Sequence, residues 1–68
     1  MVVDCFGQRC PLPVIALARA LPTVNVGDVI EVLSDDPAAA ADLPAWCRMR
    51  GQALEGADGS SYRVRRLS

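Results

Sequence analysis

The sequence predicts an α/β two-layer sandwich in the order βαβαββ, with a four-stranded mixed sheet and two helices on one face. Three observations carry that expectation. A short β-branched run, Val2-Val3, leads within a few residues into an apolar, alanine-rich helical stretch. A stronger run, Val29-Ile30-Glu31-Val32-Leu33, leads into a second stretch of helix formers. The last third of the chain then offers two short strand-like runs on either side of a glycine-bearing turn. Sixty-eight residues suit one domain, spanning 1–68. Half the residues are hydrophobic but only 4% are aromatic, so the core must be aliphatic. A chain of this size buries a modest core and suits no deep pocket for a large cofactor.

Taken in order, Met1–Cys5 reads as the first strand, and Phe6–Arg9 as a tight loop in which Gly7 supplies a positive φ. A helix follows over Cys10–Leu21, ending before Pro22. Pro11 fits its first position, because proline fixes a helical φ and lacks an N–H that the first turn leaves unpaired. Pro13 is tolerated in the same turn. Val14, Leu17 and Leu21, flanked by Ile15 and Ala18, form the apolar stripe. Val29–Leu33 suits a central strand. Ser34-Asp35-Asp36-Pro37 repeats the helix-start pattern, an acidic N-cap before a proline. The second helix should cover Ala38–Arg50 and stop at Gly51, with a kink or restart near Pro44 that Asp42 would cap. Leu43, Trp46 and Cys47 then face the sheet. Gln52–Glu55 makes the third strand, Gly56–Gly59 the hairpin connection, and Ser61–Leu67 the fourth strand. Its Tyr62 and Val64 lie on one face, with Arg63 and Arg65 on the solvated other.

The formal net charge is −1, which gives no electrostatic reason to expect nucleic acid or an anionic membrane as partner. No stretch resembles a signal peptide or a membrane span, so a cytoplasmic location is the expectation. Three cysteines, Cys5, Cys10 and Cys47, argue against a disulfide framework. Without histidine or paired spacing, a metal site built from them is disfavoured. A general acid–base hydrolase has little support either: Asp35-Asp36 reads as helix capping and Asp4 as a strand-end residue.

The candidate reactive group is Cys10, expected at or beside the N-cap of the first helix. There unpaired N–H groups and the positive helix end should favour the thiolate and lower the thiol pKa. Arg9 should help electrostatically. Cys47, amid apolar neighbours, reads as core.

Asp4-Cys5-Phe6-Gly7-Gln8-Arg9-Cys10-Pro11-Leu12-Pro13 resembles the N-terminal signature of the TusA-like, or SirA-like, sulfur carriers, whose hallmark is Cys-Pro-x-Pro. The resemblance continues through Asp36-Pro37, Asp42-Leu43-Pro44-Ala45-Trp46-Cys47-Arg48, Gly51 and Tyr62-Arg63-Val64, nearly the whole chain. It implies the same βαβαββ sandwich and a cytoplasmic protein carrying sulfur as a persulfide on Cys10. It further implies a cysteine desulfurase or rhodanese-type donor, a downstream acceptor protein, and no metal or organic cofactor. The family's uses include tRNA thiolation, molybdenum-cofactor synthesis and sulfur oxidation. The chain departs from the usual pattern at Phe6, at Ala16 and Ala18, and at Gln52-Ala53. Two other readings stand beside the carrier: a thiol redox protein using Cys5 and Cys10, and a non-catalytic interaction module in which Cys10 only packs. Cys5 is a possible secondary thiol in the first of these.

Overall fold

The computed structural model describes residues 1–68 and realises the βαβαββ order: β1 (Val2–Asp4), α1 (Leu12–Ala20), β2 (Val29–Leu33), α2 (Ala39–Arg50), β3 (Ala53–Asp58) and β4 (Ser61–Arg65). A 3-10 turn over Leu21–Thr23 follows α1, so Pro22 closes the helix as expected of a residue that cannot extend it. The sheet order is β1-β2-β4-β3. β1 pairs parallel with β2, while β4 runs antiparallel to both β2 and β3, which makes the sheet mixed.

The sheet has one covered face. Ile30 and Val32 of β2 and Tyr62 and Val64 of β4 are buried, whereas Arg63, between the last two, is exposed. That is the period-two alternation of a half-buried sheet. Leu17 of α1 and Leu43, Trp46 and Cys47 of α2 close over this apolar face.

Beyond shifts of one residue at the ends of β1, α1, α2 and β3, four features differ from the sequence expectation. α1 begins at Leu12, with Pro11 at the N-cap position rather than the first helical one, and Pro13 second in the helix and buried. Arg9–Leu12 is instead a turn, closed by the Leu12 N–H on the Arg9 carbonyl at 2.8 Å, with the Cys10–Pro11 peptide cis. α2 runs unbroken through Pro44. The ring removes one hydrogen bond near the helix start, on a side where Ala40 and Ala41 face solvent, and packing of Leu43, Trp46 and Cys47 holds the helix continuous. β3 extends through Gly56 to Asp58, with a register irregularity between Leu54 and Gly56, so the hairpin turn shrinks to Gly59-Ser60. β4 stops at Arg65, two residues short of the expected Leu67. Gly51 ends α2 as expected, at φ 72° in the left-handed region, with the cap N–H bonded to the Cys47 carbonyl.

Candidate functional site

Cys10 lies on the surface in the turn just before α1, and three acidic residues from the other half of the chain are brought to its loop. Asp35 and Asp36 arrive from the end of β2. The Asp35 carboxylate accepts the Gly7 N–H at 3.0 Å, and Asp36 Oδ2 accepts the Cys10 N–H at 2.6 Å. The other oxygen of Asp36 accepts the Ala38 N–H at 3.1 Å, so this one side chain ties the Cys10 loop to the start of α2. Those backbone donors hold its carboxyl below the usual 3.8, the Ala38 N–H contributing most, then Cys10, with Arg9 nearby acting the same way. Asp36 thus caps the turn ahead of α2, whose own N-cap position is Ala38 without a side-chain cap. Asp4 serves its own turn, accepting the Phe6 N–H at 3.0 Å.

Asp42 reaches Cys10 from α2. The Cys10 Sγ–H donates to Asp42 Oδ2 at 2.7 Å, while the Asp42 N–H makes a helical bond to the Ala38 carbonyl. Asp42 therefore caps no second helical piece. It faces the thiol. This overturns the expected direction of the thiol's titration: the Cys10 pKa is raised, chiefly because the carboxylate of Asp42 accepts a hydrogen bond that only the protonated thiol can donate. Partial desolvation and the negative charges of Asp42 and Asp36 push the same way. Arg9 does not reverse this. Its charge is felt at Asp36, and it lines a small polar depression with Gly7, Gln8, Asp35, Asp36 and Pro37.

The other two thiols are buried, Cys5 at 1% and Cys47 at 2% exposure, and burial pushes both pKa values up, with Asp4 adding to the effect at Cys5. All three cysteines are free thiols. Cys10 is the exposed one.

Beside Cys10 lies an open depression of about 320 Å³, lined by Pro11, Val14, Asp42, Ala45, Trp46 and Met49 with Cys10 itself. Trp46 forms its buried floor, with the Arg50 guanidinium 5.9 Å from the ring centroid, and Met49 its exposed rim. Phe6, Leu12 and Ile15 add further exposed apolar surface on the Cys10 loop and α1. The α2 contribution, Asp42, Ala45, Trp46 and Met49, has i, i+3, i+4, i+7 spacing, a helical stripe visible in the sequence once α2 is taken as continuous. Reading Pro44 as a break hides it. The sequence shows Asp36 and Asp42 only as caps, because the contacts they make with Cys10 depend on tertiary packing. No helix is long and apolar enough to cross a membrane.

The family described as sulfurtransferase TusA matches residues 1–65. A candidate sulfur carrier protein of Archaeoglobus fulgidus is 46% identical over 52 residues, covering 76% of this chain and 68% of the relative. A candidate sulfur carrier protein of Neisseria meningitidis is 40% identical over 52 residues, covering 76% of this chain and 70% of its own. Among solved structures, a SirA-like protein from Desulfitobacterium hafniense superposes with a TM-score of 0.72 at 30% identity, covering 93% of this chain and 89% of that one.

Proposed function

The chain belongs to the TusA family of sulfurtransferases, and from that premise we propose that it carries sulfane sulfur as a persulfide on Cys10 and relays it to an acceptor protein. The observation that supports this most is the contrast among the thiols: Cys10 is exposed at the rim of an open apolar depression, while Cys5 and Cys47 are packed in the core. A carrier needs one thiol that two successive partners can reach, and an apolar surround on which each can seat. The donors are a cysteine desulfurase or a rhodanese-type enzyme, and the sulfur ends in thiolated tRNA, molybdenum cofactor or a sulfur-oxidation route.

In loading, the sulfur of Cys10 attacks the outer sulfur of the donor's persulfide. The donor's S–S bond breaks as the new one forms, and the donor's inner sulfur departs as a thiolate. The proton lost by Cys10 ends on that leaving group. Pro11 and Pro13 shape the start of α1 beneath the thiol, Pro13 from a buried position. Burial of Cys5 disfavours a Cys5–Cys10 redox couple, because a disulfide exchange partner must be accessible.

The test is mass spectrometry of the reduced protein after incubation with a cysteine desulfurase and cysteine. One added sulfur atom, reversible by reductant, should appear on the Cys10 peptide and vanish in Cys10→Ser, whose fold is retained. Loading of Cys10→Ser at another thiol, or no loading of the unmutated chain by either donor class, would refute the assignment.

A further inference from the structure

We propose that Asp42 biases the carrier toward discharge: its carboxylate stabilises the empty Cys10 as a hydrogen-bonded thiol and repels the anionic persulfide of the loaded form. The proposal rests on the reading of Cys10 as the persulfide carrier. Its geometric basis is the 2.7 Å contact between Cys10 Sγ and Asp42 Oδ2, made by a partly buried side chain on a helix whose neighbours Leu43, Trp46 and Cys47 are anchored in the core. The charged groups around Cys10 are few. α2 contributes Asp42, the segment after β2 contributes Asp36 on the Cys10 N–H, and the thiol's own loop contributes Arg9, whose charge is felt at Asp36. Neither carboxylate is in a salt bridge, since the chain's ion pair joins Arg65 to Glu55 across β3 and β4.

The two states of Cys10 meet these charges differently. The empty thiol has a proton to donate, and Asp42 accepts it. A persulfide is a stronger acid than its parent thiol, so the loaded form is an anion at neutral pH with no proton to offer. The hydrogen bond of the empty state then becomes a like-charge contact. Atoms and electrons balance in Cys10–SH plus a donor persulfide anion giving the Cys10 persulfide anion plus donor thiol. One S–S bond forms, one breaks, and the thiol proton moves to the donor's sulfur. Asp42 shifts this equilibrium leftward, because it interacts favourably with one side only. The same contact keeps the empty thiol protonated and therefore slow toward stray electrophiles. A partner bringing a cation to Asp42 would relieve both effects at the moment of docking.

The experiment uses the full chain with Asp42→Asn, which keeps shape and an acceptor oxygen while removing the charge, and Asp42→Glu, which restores it. Circular dichroism melts check that each variant folds. Each protein is equilibrated with glutathione persulfide at a fixed ratio to glutathione, and the loaded fraction at Cys10 is read by mass spectrometry. Iodoacetamide alkylation of Cys10 is followed against pH in parallel. For each unit by which the thiol pKa falls, thiolate below the pKa rises tenfold and its nucleophilicity falls about threefold, a net gain of about threefold. Asp42→Asn should load more fully, alkylate a fewfold faster at pH 7, and shift the alkylation midpoint to lower pH; Asp42→Glu should behave as the unmutated chain. Equal or lower loading of Asp42→Asn, or alkylation no faster than that of the unmutated chain, would overturn the proposal while leaving the carrier intact. Failure of every form to load would instead remove the carrier reading itself.

Discussion

Replacing Leu43 by alanine should speed chemical labelling of the two buried cysteines by about two orders of magnitude and leave Cys10 labelling unchanged. Leu43 is fully buried in α2, one turn before Cys47 and next to Asp42 in sequence. Truncating such a leucine removes its transfer free energy and leaves a cavity, together about 2–5 kcal/mol. A 68-residue chain at ~0.05–0.15 kcal/mol per residue has roughly 3–10 kcal/mol of total stability. A loss of about 3 kcal/mol is therefore a large share of the whole. At ~1.4 kcal/mol per factor of ten, it raises the population of opened molecules by ~150-fold. Cys5 and Cys47 can meet a reagent only in those opened molecules, being 1% and 2% exposed. Timed iodoacetamide pulses, with mass spectrometry of the Cys5 and Cys47 peptides, read that population when reclosing outpaces labelling. Cys10 is the internal control, since it is already exposed. Unchanged labelling of Cys47 in Leu43→Ala, or labelling of Cys47 as fast as Cys10 in the unmutated chain, would refute the assignment of Cys47 and Leu43 to one cooperative core.

Two further predictions concern the ends of α2. Gly51→Ala should cost about 1 kcal/mol, a fall in Tm of ~4–8 °C, because Gly51 has φ 72° and an added Cβ meets nothing within 4 Å, leaving only the backbone penalty. An unchanged melting curve would show that the left-handed cap is not needed. Asp36 has its folded pKa held below the usual 3.8, so its contribution to stability is complete above the unfolded value and is lost as pH falls through the folded one. Asp36→Asn should accordingly flatten the dependence of Tm on pH below about pH 4, and a slope equal to that of the unmutated chain would refute the role of the Ala38 and Cys10 N–H groups.

What the sequence made legible was local. Val29–Leu33 is a strand with the predicted limits because an aliphatic run, interrupted only by Glu31, is bounded by Gly27-Asp28 and Ser34-Asp35. Gly51 was legible as a cap because few other residues adopt its φ. Cys47 was legible as core from the apolar residues around it, and the mixed sheet with two helices on one face from the order of the elements. Pro44 misled, because a proline's local cost was outweighed by the burial of Leu43, Trp46 and Cys47 around it. Gly56 misled in the opposite sense: it reads as a turn residue, yet it pairs with Arg63 inside β3. The thiol's electrostatics were not legible at all. Proximity to a helix start argues for a lowered pKa, and the sign is set instead by Asp42, which lies 32 positions away in the chain.

The irregularity between Leu54 and Gly56 bears on how the protein behaves when crowded. An open sheet has two edges, and each is a row of unpaired backbone groups on which another chain can add a strand. Here one edge is β1, only three residues long, and the other is β3, whose even ladder is interrupted midway by that extra residue. Neither offers the long, flat template that edge-to-edge aggregation requires. The fold is thus guarded against polymerising through its sheet, while the apolar depression beside Cys10 lies between the Cys10 turn and α2, on the helical layer.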